Sequence, residues 1–227
     1  MPGPAISADP ASRPVHCRLD GRFVSLTGLD VAQHGDSLFD GMQGPEGDAL
    51  WRFLFDGPYT DRAVFDDALR AKSGSNDPLF LAIVDRPSGL AVGYAAYMRI
   101  EPSHRVIEVG SVLFTPRLQR TPGATEAMYL MARHAFETLG YRRYEWKCNA
   151  LNEPSRRAAL RLGFSYEGLF RQHMIVKGRS RDTAWYSMID TEWPRCRAAF
   201  EAWLSPDNFD ADGRQRRRLA DIRRGLS

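Results

Sequence analysis

The eleven residues Thr115-Pro-Arg-Leu-Gln-Arg-Thr-Pro-Gly-Ala-Thr125 join an apolar, alternating run to a helical stripe. The first backbone N–H groups of a helix have no partner inside it and carry the positive end of its dipole. With Arg117 and Arg120 adjacent, and Gly123 and Ala124 small enough for close approach, such a loop suits a pyrophosphate. A bland surface loop explains it equally well. No Gly-Lys-Ser/Thr follows and no G-x-G-x-x-G is present, so it is neither a Walker loop nor a dinucleotide fingerprint. The other chemistry-bearing residues are scattered. Cys17, Cys148 and Cys196 have no C-x-x-C and no metal-ligand spacing, so no metal is expected. His134 falls on the stripe of a core helix, and His104 and His173 stand alone.

Positioning that loop takes a strand before it and a helix after it, and the apolar period supplies both. Val106–Phe114 reads as a strand closed by Thr115-Pro116, and Thr125–Leu139 as a helix stopped by Gly140. Upstream, Arg22–Leu26 reads as a first strand and Asp61–Lys72 as a helix. Leu79–Val84 and Ala91–Ile100 make an antiparallel hairpin around Asp85–Gly89. Downstream, Arg143–Cys148 reads as a strand. Ser155–Leu162 reads as a helix entered through Asn152 and Pro154, and Ser165–Val176 with Arg181–Ile189 as two more strands. Trp193, Cys196, Phe200 and Trp203 repeat at helical spacing. This order predicts an α/β fold with a mixed sheet flanked by helices. Residues 1–20 read as a flexible leader, 21–204 as the domain, and 205–227 as a basic tail containing Arg214-Gln-Arg-Arg-Arg218.

Composition bounds what the fold can serve. The 227 residues are 43% hydrophobic and 26% charged with a net charge of +3, an ordinary globular balance. No eighteen-residue apolar stretch and no N-terminal apolar h-region occur, which argues against a membrane span and a signal peptide. Three sparse cysteines fit reduced thiols in a cytoplasmic protein. Residues 30–85 hold eleven acids against four basic residues, a balance of −7, and residues 140–181 hold ten basic residues against three acids, a balance of +7. These runs are solvated faces by default, or else a face for a cationic ligand and one for a polyanion.

Taken together, Glu108-Val-Gly110, the Gln119–Ala127 loop, Asn152-Glu-Pro-Ser155, Leu162-Gly-Phe164 and Glu167-Gly168 resemble the GCN5-related N-acetyltransferases (GNAT). Within them, the chain resembles the ribosomal-protein-alanine (RimJ/RimL-type) branch. The resemblance spans roughly residues 21 to 192, with the motifs in the same order. It implies a mostly antiparallel seven-stranded sheet splayed between its fourth and fifth strands, with acetyl-CoA as co-substrate entering the splay. Carried over by position, Val106–Phe114 is the fourth strand, and Gln119, Arg120, Thr121, Gly123, Ala124 and Thr125 form the phosphate loop. Pro122 departs from the family pattern, because it donates no N–H, and two registers of the loop remain open.

Acetyl transfer to an amine needs a base, a polarised thioester carbonyl and a proton for the leaving thiolate. Glu108 is the candidate base, since strand alternation sets it on one face with Gly110; a cross-strand partner for an Arg is the equal alternative. A backbone N–H near Leu113 or Phe114 would polarise the carbonyl. By position in the family pattern Ser155 is the general acid, and Asn152 a pantetheine or sulfur-side contact; helix capping is the structural role weighed against both. The implied acceptor is a small-molecule or peptide amine, a protein N-terminus included, and the −7 balance favours a cationic one. Two alternatives stand beside this reading: a family member that binds CoA without turnover, and a nucleic-acid- or ribosome-binding protein using the Arg214–Arg224 tail. The tail lacks interleaved aromatics, so nucleic acid is disfavoured. Trp193–Leu204 and the tail offer apolar surface for a homodimer contact.

Overall fold

The computed structural model describes residues 3, 5–44 and 46–226. Eight strands lie in one sheet: β1 (Leu19–Asp20), β2 (Val24–Gly28), β3 (Leu79–Asp85), β4 (Ala91–Glu101), β5 (Val106–Phe114), β6 (Arg143–Asn149), β7 (Ser165–Val176) and β8 (Arg179–Ile189). Their order is β1-β2-β3-β4-β5-β6-β8-β7. Every neighbouring pair is antiparallel except β5 with β6. This is the mixed α/β sheet expected, with one more strand because Leu19 and Asp20 pair with Leu26 and Ser25. The first long strand begins at Val24 rather than Arg22. The amides of Arg22, Phe23 and Val24 all donate to the Glu126 carboxylate, at 2.7, 2.6 and 2.9 Å.

Seven helices complete the chain among the described residues: α1 (Val31–Gly41), α2 (Gly47–Leu50), α3 (Arg62–Ser73), α4 (Pro122–Arg133), α5 (Glu153–Leu162), α6 (Trp193–Leu204) and α7 (Leu219–Arg224). Side chains alternate across the sheet, so it has two cores. On one face Val109, Tyr144, Trp146 and Cys148 pack with Ala127, Met131, Leu162 and Phe200 of α4, α5 and α6. On the other, Phe80, Ala82, Tyr94 and Leu113 pack with Leu38, Phe65 and Leu69 of α1 and α3. Helix α4 starts three residues earlier than its apolar stripe, since Thr121 caps it and Pro122 takes its first position. It ends in a π-turn over His134–Thr138.

Residues 11–12 and parts of 205–226 pack back on the domain. Ala11 is buried and its amide donates to Pro102 O, while Ser12 N donates to Leu139 O. Ala11 and Ser12 of the expected leader are thus held to the domain, and its residues 1, 2 and 4 lie outside the described residues. Residues 205–226 also differ from a free basic tail. Leu219 and Ile222 are buried, and Arg223 donates through its two Nη atoms to the carbonyls of Arg161 and Leu160 at the end of α5. Trp193, Phe200 and Trp203 are buried within the chain, which spends the apolar face of α6 internally. No described helix is long and apolar enough to cross a membrane.

Candidate active site

Strands β5 and β6 pair only from Val106 with Arg143 to Val109 with Trp146. Beyond that, β5 runs on to Phe114 and β6 to Asn149 without meeting. The separation has a local cause. Ser111 has φ +48, and the β4–β5 register shifts between Tyr94 and Ala96, which marks a bulge at Ser111 and Val112. A bulge bends and overtwists its strand, and here it leaves the β6-facing edge of residues 110–114 as an open edge inside the sheet. Leu113 and Phe114 stay paired with Tyr94 and Gly93 on the other side. Gly110 stands at the fork, where a Cβ would lie 2.4 Å from Met98 Sδ and the methionine would have to move.

The loop expected to hold phosphate opens at the mouth of this gap. Thr115 N and Oγ1 both donate to Val92 O, and the amides of Leu118 and Gln119 donate to Thr115 O. The Gln119 amide group donates to Phe114 O at 2.9 Å. Thr121 caps α4 by accepting from Ala124 N, and donates its hydroxyl to Leu118 O. Pro122 therefore sits where a missing N–H breaks no helical bond. Arg120 is held at φ +61, and the amides of Arg120 and Gly123 have no partner among the described residues. They are donors available to an anion, together with the dipole of α4. Gly123 also lets the helix approach β2, since a Cβ there would lie 2.9 Å from Val24 Cγ1. Thr125 is turned inward, its Oγ1 accepting from Arg161 at 3.0 Å.

Ser155 and Asn152 stand on the α4–α5 side of the gap. Asn152 caps α5, its Oδ1 accepting from Ser155 N at 3.2 Å. Ser155 Oγ accepts from Trp146 Nε1 at 3.0 Å, a bond that does not use the hydroxyl's own proton. Cys148 lies beside it; burial pushes that thiol up, and the hydrogen bond with Ser155 opposes the shift.

Glu108 faces the other way. Its Oε1 accepts from Arg99 at 2.8 Å, and its Oε2 lies 2.9 Å from Lys147 Nζ without hydrogen-bond alignment. Burial raises its pKa from the ordinary carboxylate value, and Lys147 and then Arg99 pull it back. The Arg pairing weighed from the sequence is thus present. Lys147 continues to Glu145 at 2.6 Å and stands 3.9 Å over the Trp185 ring, and Arg143 joins Glu145 to Glu167. The sequence reading missed Lys147 and Arg99. The parity of β6 carried the signal: 143, 145 and 147 share Glu108's face, while 144, 146 and 148 share that of Ser155.

A cavity of about 500 Å³ opens on the Glu108 face, bounded by Phe55, Tyr59, Phe80, Tyr94, Met98 and the bulged Ser111. Lys177, in the β7–β8 turn, reaches over it to donate to Trp51 O and Asp56 O at 2.9 and 2.7 Å. Six of the eleven acids of residues 30–85 are ion-paired: Asp36 and Asp66 to Arg62, Asp56 to Lys72, Asp67 to Arg70, Asp77 to Arg13 and Asp85 to Arg117. An open hollow of about 590 Å³ beside Glu137, Trp193 and Arg197 lies away from the gap, on α6.

The domain and the fold recur in known proteins. The chain matches the model of the acetyltransferase (GNAT) domain over residues 36–165. It is 47% identical to a GCN5-related N-acetyltransferase from Brucella melitensis, covering 95% of this chain and 98% of that one with a TM-score of 0.94. The Bacillus subtilis N-acetyltransferase YoaA, itself uncharacterised, is 31% identical over 98 residues. That match spans 43% of this chain and 55% of YoaA, little more than half its length. At the level of fold alone, the acetyltransferase MccE, solved with acetyl-CoA and AMP, gives a TM-score of 0.64 at 18% identity, covering 74% of this chain and 93% of that one. A domain match over more than half of the chain, joined to near-complete overlap with a relative at 47% identity, makes this protein a member of the GNAT acetyltransferase family.

Proposed function

We propose that the protein is an acetyl-CoA-dependent N-acetyltransferase of the RimJ/RimL-type branch, passing an acetyl group directly to a primary amine in a ternary complex. The observation that carries this reading is the parting of β5 from β6 after Val109 and Trp146, with the free amides of Arg120 and Gly123 at its mouth. An open strand edge suits the amide-rich arm of acetyl-CoA, which would lie along residues 110–114 as an added strand. The loop amides and the α4 N-terminus suit its pyrophosphate.

Each side of the gap has its own task. The amine comes from the cavity on the Glu108 face, past Met98, the strand partner of Glu108, and Glu108 takes a proton from the ammonium. A backbone N–H near Leu113 or Phe114 holds the thioester oxygen as the amine nitrogen bonds to the carbonyl carbon. The C–S bond then breaks, Ser155 gives its proton to the sulfur, and the second proton leaving the amide nitrogen restores the Ser155 hydroxyl through water. The Ser155 oxygen stays fixed by Trp146 meanwhile.

Calorimetric titration with acetyl-CoA and with desulfo-CoA tests the donor half. Micromolar binding of acetyl-CoA, followed by CoA release when amines are added, is the expected result. No binding at millimolar ligand would sink the reading. Binding without turnover across a broad amine panel would leave a CoA-binding protein in its place.

A further inference from the structure

Arg181 is the described buried cation that the fold leaves without an acid. It stands on β8 with Thr183 and Trp185, on the Glu108 face, and is 7% exposed. Its Nε donates to Thr183 Oγ1 at 3.2 Å, and the Phe55 ring lies 5.2 Å from its guanidinium carbon. Its two Nη atoms have no hydrogen-bond partner and no carboxylate in ion-pair range among the described residues, and neither is sealed from solvent. The other buried charges are answered: Glu108 by Arg99 and Lys147, Glu145 by Arg143 and Lys147, and Glu126 by three amides. Burial lowers the pKa of Arg181 from the ordinary arginine value, with Cys148, Arg99 and Glu108 close enough to contribute, so the group stands near the gap. An uncompensated buried guanidinium destabilises the free protein, and a bound anion would remove that cost.

The surroundings narrow the anion and what carries it. Arg99 and Lys147 are already committed to Glu108 and Glu145, so one guanidinium is on offer. A single charge matches a carboxylate, whereas a dianionic phosphate would stay half-answered. Phe55, against which Arg181 rests, is also a wall of the cavity, whose other walls include Tyr59, Phe80, Tyr94 and Met98. We infer that Arg181 is a specificity-determining residue that receives a carboxylate on the acceptor, and that the acceptor is a primary amine bearing that carboxylate and an apolar or aromatic body, an apolar amino-acid-like zwitterion. This rests on the acetyltransferase reading above, and it replaces a plainly cationic amine as the expected acceptor.

The test compares phenylalanine, phenylalanine amide and phenethylamine, and the leucine series likewise, with the parent and with Arg181→Met, following CoA release; acetyl-CoA titration of both proteins runs alongside. The expected result is that the parent prefers the free carboxylates by about tenfold or more in kcat/KM. In Arg181→Met that preference disappears, acetyl-CoA affinity is kept, and the thermal midpoint rises because an unpaired buried charge is gone. Equal use of carboxylate and amide by the parent, or turnover of no member of either series, overturns the assignment. A lowered midpoint with lost acetyl-CoA affinity makes Arg181 structural or donor-binding and overturns it too. Failure of the parent to bind acetyl-CoA is a separate outcome, which removes the acetyltransferase reading and the assignment with it.

Discussion

Ser155 and Glu108 lie on opposite sides of one gap, and the contacts of each set what its loss should do. Ser155 accepts from the Trp146 indole and is capped through its own amide by Asn152, so Ser155→Ala leaves α5 capped. The expected outcome is a fall in kcat of about a hundredfold with acetyl-CoA affinity nearly unchanged, the usual span of one acid–base group. Steady-state kinetics beside calorimetry checks it, and equal loss of both would make Ser155 a binding or folding residue. Glu108 must be deprotonated to act as a base, and burial raises its pKa from the ordinary value. Activity should therefore fall on the acid side at a pH above that of an ordinary carboxylate. Lys147 pulls that pKa down, so Lys147→Met should move the acidic limb to still higher pH. Glu108→Gln should remove activity near neutral pH and recover part of it at high pH, where the amine deprotonates unaided. A pH–rate profile unmoved by either change would leave Glu108 as a cross-strand ion partner of Arg99 and Lys147.

Among the elements, β5 and α4 position the site, and what anchors α4 was the least visible in the sequence. Strand β5, with its Pro and turn boundaries, and α6, with its aromatic stripe, begin and end where the apolar period places them. Ser111 gives no sign of its bulge, because a positive φ at a non-Gly residue is imposed by the pairing with β4 rather than by its own preference. Glu126 was visible as a motif letter, yet its role depends on amides more than a hundred residues away. There it ties the β1–β2 turn to the helix whose N-terminus faces the gap. Glu126→Ala would strand three N–H groups, at about 1–3 kcal/mol each where burial is complete. The expected outcome is a loss of about 3 kcal/mol or more in denaturant unfolding, with weaker acetyl-CoA binding as the start of α4 loosens. Unchanged stability would mean that water replaces the carboxylate and that the turn carries no load for the helix.

At the scale of the molecule, the two terminal segments decide how much of the chain the domain needs. Composition sets 205–227 apart as a charge run, because six arginines within eleven residues outweigh two apolar side chains in any average. Packing ranks them the other way. Leu219 and Ile222 are 1% and 4% exposed, and Asn208 bonds to Trp203 O, Arg217 O and Arg217 N, closing the segment onto α6. Arg223 meanwhile satisfies carbonyls at the end of α5 that would otherwise lack donors. Arg214, Arg216 and Arg218, by contrast, are exposed. Burying two aliphatic side chains is worth about 1.5–3 kcal/mol apiece. Ending the chain at Leu204 should therefore lower stability by about 3–6 kcal/mol, which for a chain of this size is a drop of roughly 6–24 °C in Tm. Replacing Arg214, Arg216 and Arg218 together by Gln should cost less than about 1.5 kcal/mol, as exposed substitutions do. Differential scanning of the two variants against the full chain separates the roles. A triple-Gln protein as unstable as the truncated one would show that charge, not the packing of α7, holds the segment in place.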